Sequence, residues 1–545
     1  MKRTLGQAGG KFTGLAVVLM LAAVLFFPGI GCERLKAEKL KEAAGQNQRL
    51  VPDLRSTNDY FQRREKLLKT IPVQGFFSAP RLNASETNVD RLMDQVRSLE
   101  TSNFNRLGQF PPAQMFFHVR PAIEGSRLFP IFQRLPKGGL LHVHESSSGR
   151  SDFVITNIAR RADCYIGWST QPGGPRRGRL KFTNAPPADD GGLNGYFPFS
   201  ILEARLRSQG VVLTDELRHL YMLDETDLQE DKVWAAFGTW WSLLPDLMRH
   251  RPVLRDFLRD AFQTFHEDGI SHVELRVMVP VATMFDYHAG GLVNFSERET
   301  LQEYLAARDF ICARFNPHFS IRLVLCGLRG HTNSDAATVL GKVREYGNYF
   351  PGEHLIAGCD FVGNEDGGRP TLAEVPAIRA ATAQAGAPIQ FYFHAGESAR
   401  PGNDNLVDAV LLETKRIGHG FNLFRLPALE PLIRTNRIAL EICPISNQLL
   451  RLSPDLRTHP AAGYIHRGLP CVLGSDDPAI FGNTGLSYDF WEAYYAWGLD
   501  LRMLKQFAES SLTFSALEPD EKSAALARWH NQWDAWVRWV ETQSF

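Results

Sequence analysis

From about residue 140 onward, short apolar or β-branched runs alternate with longer stretches whose apolar residues recur at three-and-four spacing. Eight short runs can be read, at 140–144, 271–277, 322–326, 356–363, 389–397, 416–420, 439–444 and 471–477. Helical patterns lie between them, for example at 254–267, 371–385 and 405–415, and Ser296 and Glu299 have the spacing of a capping box. Repeated βα units argue for a parallel sheet with right-handed crossovers. Eight of them is the number that closes a TIM (β/α)8 barrel, so the expected fold class is α/β. Polar residues gather at the C-terminal end of nearly every run, where barrel active sites are assembled.

The flanks read differently. Residues 59–134 are mainly helical, with 88–99 carrying a clear amphipathic period. Together with a polar tether they form an N-terminal extension at 33–134. Residues 150–230 contain Gly/Pro-rich stretches at 171–178 and 185–192, too rich for a continuous core, and read as an insertion after the first strand. The barrel then spans 135–510, and a C-terminal helix at 511–545 packs on it. At the other end Lys2, Arg3 and Lys11 precede an apolar run at 15–27 and a Gly31-Cys32 pair. That run is short of the ~20 residues of a bilayer span, so residues 1–32 read as an export signal. Cys32 is then the expected lipid anchor, which places the protein in the periplasm or on the surface of a bacterial membrane.

Composition narrows the picture. Sixty basic residues balance sixty acidic ones, which disfavours broad capture of nucleic acid. An apolar content of 44% excludes general disorder. Beyond Cys32 there are six cysteines and no CxxC pair; Cys326, Cys359, Cys443 and Cys471 lie in strand-like runs, where packing is the expected role.

Three runs, the first, fifth and eighth, end in residues that can bind a cation. His142 and His144, two apart on one strand, share a face and can meet one ion. His394 ends the fifth run and Asp476 the eighth. Three imidazoles and a carboxylate suit one zinc ion. Glu397, three residues after His394, suits a proton donor that is not a ligand. His419 sits between two glycines that let its ring approach an attacking water. Asp477 diverges from Asp476 and can face a substrate, and Gly363 exposes its amide at the mouth of the fourth strand.

These segments, Pro136–His144, 393–397, 416–420, 441–447 and 475–481, resemble the adenosine deaminase family, and 233–237, 363–366 and 486–490 resemble its secreted growth factor-related branch. The resemblance runs from about residue 110 to the C-terminus and implies a barrel of the metal-dependent hydrolase type. It implies that His142, His144, His394 and Asp476 bind zinc, that Glu397 protonates a purine and that His419 acts on the attacking water. Gly363 and Asp477 would hold the base, and Trp234 and Glu145 would lie near the ribose. The reaction implied is hydrolytic deamination of adenosine and 2′-deoxyadenosine, and a homodimer through the helical extension is implied by the same branch. The insertion holds one cysteine, Cys164, so the disulfide of related enzymes cannot form there, and Glu145 stands where the branch tends to have Asp. Two alternatives are a catalytically silent, surface-anchored nucleoside-binding or signalling protein and an amidohydrolase acting on another purine.

Overall fold

The structure, a computed structural model, describes residues 61–62, 64–66, 81–169, 177–188, 195–224, 227–228, 232–241, 247–289, 291–330, 335–383 and 388–543. The apolar run at 15–27, Cys32 and the tether at 33–60 lie outside the described residues.

Each of the eight runs contains a strand: β1 Gly138–His144, β2 Ile270–Met278, β3 Ser320–Leu328, β4 Ile356–Val362, β5 His394–Ala395, β6 Arg416–His419, β7 Ala439–Ile442 and β8 Cys471–Leu473. They form two parallel four-stranded sheets, β1-β2-β3-β4 and β5-β6-β7-β8. Parallel bridges between Cys359 and Phe391 and between Val143 and Asp476 join the sheets at both seams, so the strands follow one another around a TIM barrel. β5 is shorter than its run because residues 390–393 pair irregularly with β4, through Cys359 N–H to Gln390 O and Tyr392 N–H to Cys359 O. Helices Arg251–Glu267, Glu297–Arg314, Ala336–Gly347 and Thr371–Thr382 cover the outside. The expected capping box is present: the Ser296 side chain accepts from Glu299 N–H while the Glu299 carboxylate accepts from Ser296 N–H.

A layer of charge crosses the barrel interior, where branched aliphatic residues are the usual filling. Glu274 and Arg276 of β2, Asp360 of β4, Arg416 of β6 and Glu441 of β7 are all buried. Arg276 donates to Asp360 at 2.9 Å and to Glu441 at 2.6 Å; Arg416 donates to Glu441 at 2.6 Å and to Glu274 at 2.5 Å. Buried charges persist when paired and fully hydrogen-bonded, and each carboxylate here has such partners.

The N-terminal extension contains helix Ala84–Leu107, and the chain ends in helices Ser487–Trp497, Leu501–Thr513 and Pro519–Glu541. The last of these buries Ala525, Trp529, Trp533, Trp536 and Val540, spaced three and four apart, and its indoles find polar partners. Trp529 donates to Pro136 O, Trp536 to Ile131 O and Trp533 to the Glu86 carboxylate. Helix Ala84–Leu107 and helix Pro519–Glu541 are thereby tied together, and the latter is tied to the chain just before β1.

The insertion has structure of its own. It holds a three-stranded antiparallel sheet, Arg177–Phe182, Cys164–Ser169 and Tyr196–Phe197, whose Ile166, Trp168, Leu180 and Phe182 join the main hydrophobic core. Residues 170–176 and 189–194, which include parts of both Gly/Pro-rich stretches, lie outside the described residues. Among the described residues the six cysteines are free, and Cys164, Cys326, Cys359, Cys443 and Cys471 are buried. No described helix is long and apolar enough to cross a membrane.

Candidate active site

The C-terminal ends of the strands converge on a cavity of about 450 Å³ lined by His144, Glu145, Trp234, Gly363, His394, Glu397, Asp476 and Asp477 among others. Its size falls within the range of small-molecule sites, ~300–1,000 Å³. Trp234 reaches it from helix Val233–Trp241, with Phe237 edge-on beside it.

At the floor, ligating atoms of His142, His394, His419 and Asp476 lie within 4.8 Å of one another, and His144, Asp476 and Asp477 form a second group sharing Asp476. Asp476 Oδ1 is 3.2 Å from His142 Nε2 and 3.1 Å from His144 Nε2. The fit to a metal ion can be judged from what holds each ring. His142 Nδ1 faces Glu441 at 2.7 Å and His394 Nδ1 faces Asp360 at 2.6 Å. Each carboxylate draws the ring proton to Nδ1 and leaves the Nε2 lone pair toward the cavity, the arrangement of metal-ligating histidines. His142 Nε2 is buried without a well-formed hydrogen bond. A cation among these donors would satisfy it.

His419 is held the opposite way. Ala461 N–H donates to His459 Nδ1, so His459 carries its proton on Nε2 and donates to Asn447 Oδ1 at 3.0 Å. The Asn447 amide nitrogen then donates to His419 Nδ1 at 3.2 Å, which puts the proton of a neutral His419 on Nε2. That atom also lacks a well-formed partner and lies 3.5 Å from Glu397. His419 therefore offers a donor, and its proximity to the cluster does not make it a fourth nitrogen ligand.

The backbone is arranged to allow this crowding. His419 and Asp476 both adopt left-handed conformations, with φ of 61° and 60°, a strained region that functional sites often retain. A Cβ on Gly418 would lie 3.0 Å from the His142 ring, and one on Gly474 would lie 2.7 Å from His142 Cβ. The glycine before His419 thus makes room for neighbouring histidines, a more specific role than access for water.

Burial sets the protonation of the carboxyls. Glu397 is pushed well above the usual carboxylate range by burial, and further by Asp476, Glu365 and Asp477. Asp477 is raised by burial and by Asp476, and its Oδ1 accepts from the Ser147 hydroxyl. Burial would raise Asp476 too, but His142, His144 and His419 hold it well below the usual range. Glu145, at the mouth, is pushed up to about 8 by desolvation. Burial lowers His394 to about 4 despite Asp360, and lowers His419 strongly. Two adjacent carboxyls, Asp476 and Asp477, are thus driven in opposite directions, one an anion facing the histidines and one a neutral donor facing the cavity.

All ten residues singled out in the sequence gather at this floor or line the cavity. Arg276, Asp360, Glu441, Asn447 and His459, which orient them, were not. For Arg276, Asp360 and Glu441 the signal was charge inside apolar strand runs, since such a residue in a parallel barrel must be paired, whereas Asn447 and His459 lie outside the strands and carried no such signal.

The chain is similar to known proteins. A family profile described as "Adenosine deaminase" matches residues 210–531. Adenosine deaminase 2 of Sus scrofa is 34% identical over 84% of this chain and 89% of its own length, and that of Homo sapiens is 31% identical over 85% and 90%. Among solved structures, an amidohydrolase from Burkhoderia ambifaria with bound Zn covers 76% of this chain and 95% of its own at a TM-score of 0.53 and 19% identity. An ADAL-IMP complex covers 75% and 99% at 0.52 and 18%. These two share the fold. The chain belongs to the adenosine deaminase family, in its growth factor-related branch, and is a hydrolase of the amidine C–N bond class.

Proposed function

We propose that the protein is a zinc-dependent adenosine deaminase, converting adenosine and 2′-deoxyadenosine to inosine and 2′-deoxyinosine with release of ammonia. The observation that carries this is a buried Glu397, 3.5 Å from His419 and pushed well above the usual carboxylate range by that burial, beside a histidine–aspartate cluster whose ring tautomers suit a cation. His142, His144, His394 and Asp476 would hold one zinc ion, which when bound supplies a Lewis acid that makes water nucleophilic near neutral pH.

The chain's own residues account for the rest. Glu397 gives its proton to purine N1 as the water oxygen bonds to C6, so that negative charge does not accumulate on the ring. His419 donates from Nε2 toward the attacking oxygen and orients it, and the proton released by the water restores Glu397. The remaining hydroxyl proton passes to the amino nitrogen, the C6–N bond breaks, and ammonia leaves with a carbonyl at C6 and hydrogen at N1. Asp477, neutral and therefore a donor, holds N7, and Gly363 offers its N–H to the base. Trp234 and Glu145 lie toward the ribose.

A free nucleoside is favoured over a nucleotide. Among the described lining residues the Arg/Lys cation is Arg276, which is already committed to Asp360 and Glu441 and so is not free to pair with a phosphate. The IMP complex of the structural neighbour supports a purine ligand. The test follows purine absorbance with adenosine, 2′-deoxyadenosine and AMP offered to metal-replete protein. Conversion of both nucleosides with AMP far slower is expected; equal turnover of AMP would overturn the nucleoside assignment, and inert nucleosides would overturn the deaminase.

A further inference from the structure

The proton donor and one histidine of the cluster share a single tight turn, His394-Ala395-Gly396-Glu397, and it is clamped from both sides. Arg329, buried, donates to His394 O at 2.9 Å. Glu365, buried on the loop after β4, accepts from Gly396 N–H at 3.1 Å and from Glu397 N–H at 2.8 Å, one amide on each carboxylate oxygen. The two charges belong to one network. Asn405 donates to Glu365 Oε2 at 2.7 Å and accepts from Thr371 N–H at 2.8 Å, and the Thr371 hydroxyl accepts from both terminal nitrogens of Arg329. The turn has little freedom to relax elsewhere, because Gly396 has φ of 80° and a Cβ there would lie 2.5 Å from Asn422 Oδ1.

We propose that Glu365 is a positioning residue for the deamination: its two carboxylate oxygens fix the backbone of the turn so that the Glu397 carboxyl stands in register with His394 and the cavity. The proposal rests on the reading of Glu397 as the proton donor. Glu365 is not among the residues lining the cavity and leaves substrate contacts alone, and the charge it also places near Glu397 is kept in Glu365→Asp, which separates that effect from the hold on the turn. Glutamine at this position would keep one acceptor and turn an NH2 group toward a backbone N–H, opposing two donors. Aspartate would keep both oxygens one methylene short of the amides.

The test compares wild type, Glu365→Gln and Glu365→Asp for zinc content, thermal midpoint, and kcat and KM on adenosine. Glu365→Gln is expected to keep one zinc per chain, because Asp360 and Arg329 still hold His394, and to keep KM. Its kcat should fall on the order of 100-fold, the effect of a displacement of about 1 Å at a reacting group. Glu365→Asp should recover part of that loss. A Glu365→Gln enzyme with wild-type kcat overturns the proposal, as does a joint loss of zinc, KM and stability, which would mark a general structural role. If Glu365→Gln does not fold, Glu365→Asp decides, and wild-type kcat in that variant is the overturning result. A wild-type protein inert toward adenosine removes the deaminase reading and this proposal with it, whereas active wild type beside an unaffected variant removes this proposal alone.

Discussion

Replacing Arg276 by Met tests whether the charged layer inside the barrel is what presents the histidines. Arg276 reaches four acceptors: Asp360 at 2.9 Å, Glu441 at 2.6 Å, Leu141 O at 3.0 Å and Tyr392 O at 3.4 Å. Methionine fills much of the volume and supplies no donor. Removing one partner of a buried ion pair costs ~3–5 kcal/mol because a charge is left uncompensated. Neither carboxylate is stranded here, however. Asp360 still accepts from His394 N–H and Phe361 N–H, each at 2.6 Å, and Glu441 still pairs with Arg416. The loss of stability should therefore fall near the lower end, about 3 kcal/mol. The same carboxylates hold His394 and His142, and disturbing such outer partners typically weakens metal binding ~10–100-fold. Urea unfolding of metal-free protein measures the first quantity, and competition with a chromophoric zinc chelator measures the second. A variant within about 1 kcal/mol of wild type and with unchanged zinc affinity would refute the idea that Arg276 organises the site.

Three further outcomes are expected. Glu397→Gln should lower kcat by ~10²–10⁴ while the urea midpoint and zinc content stay at wild-type values, and a loss under tenfold would remove Glu397 as proton donor. Burial alone would raise Glu274, but Arg416 and His272 hold it down to about 2 from the ordinary 4.5, so its stabilisation is complete above pH 4.5 and is lost as pH falls toward 2. The stability gap between wild type and Glu274→Gln should then shrink by about 2 kcal/mol between pH 6 and pH 3 in urea unfolding, and a gap that does not change with pH contradicts the assignment. Ser296→Ala, which deletes the cap of helix Glu297–Arg314, should cost ~1 kcal/mol in the same assay without altering kcat, and no measurable loss would mean that the cap contributes nothing in this context.

Much of the architecture was legible because a parallel barrel writes each strand as a short apolar run and each crossover as a helical period. All eight strands and the Ser296 capping box could be read this way. The site was legible for a related reason: barrel chemistry sits at strand ends, so His142, His144, His394, His419 and Asp476 announce themselves by position. What escaped depends on partners far apart in sequence. Nothing local to Asn447 says that His459 fixes its amide, or that the amide fixes the tautomer of His419. Nothing near Glu365 says that it receives two amides from a turn thirty residues on. The short strands of the insertion were not legible, because glycine and proline break up its apolar runs, yet Cys164–Ser169 pairs and buries Ile166 and Trp168.

The central claim, a deaminase whose histidine–aspartate cluster holds one catalytic zinc, is tested most directly by titrating zinc into chelator-stripped protein while following adenosine conversion. Activity rising from background to a plateau at one equivalent per chain is the predicted result. Full activity without metal, or no activity at saturating zinc from a folded protein, would contradict it.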